Sequence, residues 1–230
     1  ATISACNSYT WSVTGQTYTT SGTYTGTTTI SAGTIRATSS EALGDESGTN
    51  TLIFAGGTLQ AGGNISSPSG RAVTLTTTPV IDTNGYTVTL AGTIGSGAGL
   101  TKNGIGTLTT SGAATLGGAL VVNTGTYNQV GALTVNSSTT VAASGTWQNI
   151  GTSAVNIGGA VTNSGTIILN SGNGSQCVDG TNSILVRSTV NNTPRAWSGT
   201  GTFIMYNLDV DDMTGPGVTV YNSTLSGDTR

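Results

Sequence analysis

The chain has 230 residues, of which 36 are glycine, 47 threonine and none histidine; 7% are charged, the net charge is −3 and 35% are hydrophobic. Disordered chains combine low hydrophobicity with high net charge, so this uncharged, β-branched composition points to strands, enough for one all-β domain or two. Scarce Lys and Arg leave no electrostatic footprint for nucleic acid or an anionic membrane surface, and no apolar run approaches the ~20 residues that span a bilayer; neither nucleic acid nor membrane insertion is expected.

The first residues, "ATISACNSYTW" (1–11), lack an initiator Met and a basic-plus-apolar leader, the expectation for a segment left after signal removal or trimming. Residues 1–50 are assigned to an N-terminal capping or docking region and 51–230 to regular coils, together one domain over 1–230. Along the coils, "AVTLTT" (72–77), "YTVTLAG" (86–92), "GTLTTSG" (106–112) and "ALTVNSS" (132–138) alternate apolar residues with Thr or Asn, the period-2 signature of a half-buried strand. Val73, Leu75, Tyr86, Val88, Leu90, Leu133 and Val135 are predicted to face inward, with the intervening Thr residues facing out. Gly or Pro interrupts nearly every longer stretch, so no long helix is expected.

A tetrad recurs at equal intervals as TGTY, SGTW and SGTI, starting at Thr124, Ser144 and Ser164. Related pieces are AGTI (32–35), GGTL (56–59), AGTI (91–94), IGTL (105–108) and GTGTF (199–203). A period of about 20 residues means stacked units, each too small to bury its own apolar face. A β-sandwich also presents strands at 8–12-residue spacing but gives no reason to repeat one turn motif per coil. The predicted fold is therefore an all-β, right-handed parallel β-helix with coils of about 20 residues, the hand taken from the crossover preference. Roughly ten such coils at ~4.8 Å each would span about 50 Å. The tetrad glycine should permit a corner with φ > 0, and Tyr127, Trp147 and Ile167 should stack on one another inside. Asn123, Asn136 and Asn163 follow short apolar runs, where an amide can bond its own turn and the next coil, or simply form a turn.

The stretch "LIFAGGTLQAGG" (52–63) followed by "GSGAGLTKNGIGTLTTSGAATLGGALVVNTGTY" (95–127) resembles the autotransporter-associated β-strand repeat of passenger-type β-helices. It departs from that repeat at "SGAATLGG", and Thr110 stands where an apolar residue is usual there. "CNSYTWSVTGQTYTTSGTYT" (6–25) and "GTGTFIMYNLDV" (199–210) resemble segments of large exported proteins of Bacteroidetes-like bacteria. What both likenesses imply is an extracellular protein of the bacterial cell surface, adhesive or structural.

Catalytic chemistry is not expected. Without histidine, Ser-His-Asp and Cys-His arrangements are impossible within this chain. Nine acidic residues, six of them in "EALGDESG" (Glu41, Asp45, Glu46) and "LDVDDMTG" (Asp209, Asp211, Asp212), leave little for a carboxylate pair. Asp209, Asp211 and Asp212 are the candidate metal ligands: Asp209 and Asp211 would share one side of a strand, where hard oxygens accept Ca²⁺, although a solvated, edge-protecting turn explains the same charges. No other cofactor is expected. Cys6 and Cys177 are about eight coils apart, beyond the ~7 Å that a disulfide spans, so no intrachain bond between them is predicted.

Three readings of function follow. The first is a non-catalytic structural protomer or segment of a fibre, sheath or stalk, self-associating or continuing into a longer surface protein, because neither end of the solenoid looks closed. The second is an adhesin-type module whose long face contacts glycan or another surface; exposed Trp residues sharing one groove would favour it. The third is an ice-binding solenoid, suggested by "TYTGTTTI" (23–30) and "TLTTTP" (74–79), which requires two aligned Thr rows over at least four consecutive coils. A polysaccharide-active β-helix enzyme ranks below all three.

Overall fold

The computed structural model describes residues 27–44, 48–171 and 183–215, together with the two-residue strands Thr2–Ile3, Tyr9–Thr10, Thr17–Tyr18, Gly22–Thr23 and Val220–Tyr221. From Thr28 onward the strands pair in parallel and stack as a β-solenoid of about 8 turns. The regular rows thus begin before residue 51. Upstream of them the pairing is antiparallel, Thr2 with Thr23 and Tyr9 with Tyr18.

Each turn contributes short strands to three faces. The first face is a nine-stranded parallel sheet running from Thr28–Ile30, through Leu52–Phe54, Val73–Leu75, Ile94–Ser96 and Ala114–Leu116, to Leu208–Asp211. The second face starts at Thr34–Ala37 and ends at Met213–Thr214; the third starts at Ile65–Ser67 and ends at Val220–Tyr221. Two long strands, Leu120–Gln129 and Thr139–Asn149, run straight through the corner between these faces and join them into one fifteen-stranded sheet.

Register sets the coil length. Val73 lies between Leu52 and Ile94, and Leu133 between Ala114 and Val155. These turns keep close to the ~21-residue coil of the solenoid, whereas the turn that carries Asn156 to its partner Arg187 spans 31 positions. That long turn and the antiparallel start leave fewer coils than the ten expected.

Strand alternation builds the core. On the first face Leu52, Val73, Ile94, Ala114, Leu133 and Val155 form one inward column and are all buried. Tyr86 departs from its predicted inward place and is 37% exposed. The strand starts one residue later, at Thr87, because Asn84 and Gly85 take positive φ and the Tyr86 N–H closes a turn onto the Thr83 carbonyl at 2.8 Å. The only helical element among the described residues is a 3₁₀ turn, Glu41–Leu43.

That turn closes the first coil. Ile65–Ser67 pairs only with Thr87–Leu90 among the described strands, and residues 38–44 supply the missing third side, driving Leu43 into the core with no exposed surface. Arg71, also fully buried, fixes it: its guanidinium donates to the Ser40 carbonyl (3.2 Å), the Ser40 hydroxyl (3.0 Å) and the Gly44 carbonyl (2.9 Å). Charge-assisted bonds to three acceptors offset the cost of burying a cation.

The tetrad glycines have a different reason from the one expected. Gly125 does take positive φ, +69°, but Gly145 and Gly165 do not. What they share is a backbone directly overhead: a Cβ on Gly125 would sit 2.5 Å from the Gly104 and Gly106 carbonyl oxygens. The wider Gly-Thr series marks strand entry at all three corners, with Leu59 on the second face, Ile94 on the first and Leu108 on the third.

Candidate functional site

The third face carries two inward columns. The first runs Ile65, Val88, Leu108, Tyr127, Trp147, Ile167, Phe203 in strict register. Tyr127, Trp147 and Ile167 are neighbours in it, each with no exposed surface. The second runs Leu90, Thr110, Gln129, Asn149, Leu169, so that three polar side chains lie buried among apolar ones. Two of the three, Thr110 and Gln129, partner the polar handles of the aromatics. The Thr110 and Tyr127 hydroxyls share a hydrogen bond of 2.9 Å, and the Trp147 indole N–H donates to Gln129 Oε1 at 3.3 Å. Buried Tyr and Trp need such partners, which explains a Thr at position 110. Gln129 and Asn149 then donate to turn carbonyls of Gly131, Ala154 and Ser153 at 2.8–3.2 Å. Burial pushes the Tyr127 phenol up to about 12, opposed by the Thr110 bond.

The two described tryptophans, Trp147 and Trp197, do not form a sugar-stacking platform. Trp147 stacks on Trp197 with ring centroids 6.2 Å apart, and Trp197 is only 3% exposed; Trp11 lies outside the described residues.

Lys102 occupies an inward position between Ile81 and Val122. Its ammonium donates to Thr83 Oγ1 (2.9 Å) and to the carbonyls of Asn103 (2.8 Å), Gly104 (2.7 Å) and Thr124 (2.9 Å). Burial pulls its pKa down to about 8, with Asp82 acting in the opposite sense. Four oxygens around one cation tie successive turns together at the corner where Gly104 and Gly125 take positive φ.

Outward, the third face presents a single file of threonines over six consecutive turns: Thr87, Thr107, Thr126, Thr146, Thr166 and Thr202. The neighbouring row reads Ser66, Thr89, Thr109, Asn128, Gln148, Ile168, Ile204. Its amides bond along the axis, Gln148 Nε2 to Asn128 Oδ1 at 3.1 Å. Of the Asn positions singled out above, Asn123 donates to Asn103 Oδ1 at 2.8 Å, Asn163 turns inward to bond Gly165 N–H and the Thr202 carbonyl, and Asn136 faces a groove on the first face.

That groove, of about 610 Å³, is a polar concavity. Its floor is an outward column of register partners, Thr134, Asn156, Arg187 and Asp211. Asn156 Nδ2 donates to Thr134 Oγ1 (3.0 Å), and Arg187 Nε donates to Asn156 Oδ1 (2.7 Å). Asp212 stands at the rim, where its Oδ2 accepts the Asn192 N–H at 2.8 Å; both residues hold positive φ, 57° and 56°. Asp209 and Asp211 share the outward side of Leu208–Asp211, Asp209 beside Leu185 and Asp211 beside Arg187. Among the described residues no three His, Cys, Asp or Glu side chains gather as a metal group; the three aspartates are spread over strand, floor and rim. Cys6, Asp45, Glu46 and Cys177 lie outside the described residues.

No protein-family model, no curated protein and no solved structure matches this chain.

A smaller pocket, of about 160 Å³, lies at the last described turn, lined by Val186, Trp197, Met205, Leu208, Val210 and Met213. It is apolar, and it sits where the core column of the solenoid reaches its final rows.

Proposed function

We propose that this chain is a non-catalytic extracellular structural protein, a β-solenoid protomer or segment of a bacterial surface fibre, sheath or stalk that assembles through its ends. The observation that carries the reading is the apolar pocket at the last described turn, where core side chains from all three faces line a cavity and the strands Leu208–Asp211 and Met213–Thr214 stand last in their rows among the described residues. Strands at such edges template strand addition, and head-to-tail addition of identical units gives an open filament. The Thr-rich, weakly charged composition and the likeness of residues 52–127 to a surface-protein repeat support the extracellular setting. Light scattering over a concentration series, with electron microscopy of the same samples, tests it: mass should rise with concentration and rods should lengthen. A strictly monomeric species whose end turns are covered by its own residues would overturn it.

A second reading is a binding module, favoured by the unbroken threonine file on the third face. Ice binding needs a second aligned file, and there the amides from Asn128 onward interrupt it.

A further inference from the structure

We infer that the polar groove on the first face binds a neutral oligosaccharide. The inference rests on the binding-module reading, not on end-to-end assembly.

The chemistry of the walls selects the ligand class. Most clefts of this size, within ~300–1,000 Å³, are lined by apolar side chains; this one is lined by hydroxyls, amides, one guanidinium and two carboxylates. A wholly apolar ligand would leave those hydroxyls, amides and charged groups unpaired, whereas a sugar presents apolar ring faces to the alkyl parts of the same side chains. An anion meets Asp211 and Asp212, and a bare cation meets Arg187. A sugar hydroxyl both donates and accepts, so adjacent hydroxyls suit planar groups that offer two donors or two acceptors at once, which Arg, Asn and Asp supply.

Rigidity is the second argument. Thr134, Asn156 and Arg187 are held at the spacing of successive strands, ~4.8 Å, and are already bonded to one another in a line. The Nε bond to Asn156 fixes the plane of the Arg187 guanidinium while its terminal nitrogens have no described hydrogen-bond partner. At the rim, Asn192 and Asp212 take the left-handed backbone conformation that Asn and Asp adopt readily, and the Asn192 N–H donates to Asp212 Oδ2, which fixes the rim. Side chains fixed before the ligand arrives lose little entropy on binding. The groove and the threonine file lie on different faces, so the two surfaces can be tested apart.

Amide NMR spectra of the full chain, titrated separately with maltohexaose, mannohexaose and N-acetylchitohexaose and with hexagalacturonate as the anionic control, provide the test. At least one neutral hexasaccharide should shift the amides of Thr134, Asn156, Arg187 and Asp212. Arg187→Ala and Asn156→Ala should each weaken that binding about tenfold, the loss of one charge-assisted or bidentate contact, with folding unchanged by circular dichroism. Binding that both substitutions leave intact overturns the assignment. Shifts confined to the Thr87–Thr202 file overturn the groove while sparing the binding-module reading. Preferential binding of hexagalacturonate in the groove overturns the neutral class, and silence with all four sugars overturns the groove assignment while leaving the threonine file as the surface of the binding-module reading.

Discussion

The turns between Leu108 and Ile167 and the turns between Val155 and Asp211 are built from the same strand grammar and have opposite surfaces. In the first region the ~21-residue coils repeat so closely that the inward side chains of the third face meet their counterparts, and Thr110, Gln129 and Asn149 find hydrogen-bond partners in that sealed column. In the second, a turn of 31 positions breaks the period, and the outward column changes from Thr134 through Asn156 to Arg187 and Asp211. Where the period is kept the third face carries the threonine file, and the groove of the first face spans the rows on either side of the long turn. The polar groove therefore sits beside the least regular turn of the solenoid.

The sealed column is the part that substitutions should break most severely. Trp147→Ala removes the largest fully buried side chain and should lower stability by about 3–5 kcal/mol in chemical unfolding; near-wild-type stability would contradict its burial. Lys102→Met keeps the column apolar but abandons four oxygen acceptors, and should cost about 2–4 kcal/mol. Gln129→Leu, which orphans the Trp147 indole N–H, should cost about 1–3 kcal/mol. A smaller, pH-dependent effect comes from Tyr127. Its folded pKa of about 12 lies above the ordinary value of 10.0, so the folded state keeps a proton that the unfolded chain releases, and stability should fall from pH 10 toward 12. Tyr127→Phe should flatten that slope in a thermal-melt series. Lys102 acts with the opposite sign: its pKa is lowered to about 8 from 10.5, so stability should rise between about pH 8 and 10.5, a rise absent from Lys102→Met. The groove should be the least sensitive. Arg187→Ala, on an exposed side chain, should shift stability by less than about 0.5 kcal/mol, and a larger loss would show that the groove is part of the scaffold.

The column was legible in the sequence because its signal is local and periodic: three tetrads at one spacing place Tyr127, Trp147 and Ile167 in register. Strand positions such as Val73, Leu75, Val88 and Leu133 were equally readable from alternation. Polar residues in the core were not. Thr110 faces inward by parity with Leu108, yet a threonine between strands of threonines reads as solvated, and only the tyrosine hydroxyl one turn later gives it a purpose. Lys102 was hidden in the same way, since its acceptors are carbonyls made available by corner geometry. The groove was the least readable feature, because its floor joins positions 134, 156, 187 and 211, whose unequal separations follow no period.

The two strands that pass through a corner without a break have a mechanical consequence. Hydrogen bonds between turns lie along the solenoid axis, so a pull on the two ends loads them in line and opens rungs one after another instead of sliding whole sheets past each other. Leu120–Gln129 and Thr139–Asn149, matched over nearly their full length on two faces at once, form the rung with the most bonds to break together. A chain stretched from its ends should unravel turn by turn toward that doubled rung and stop there, leaving the middle of the molecule as its last intact piece.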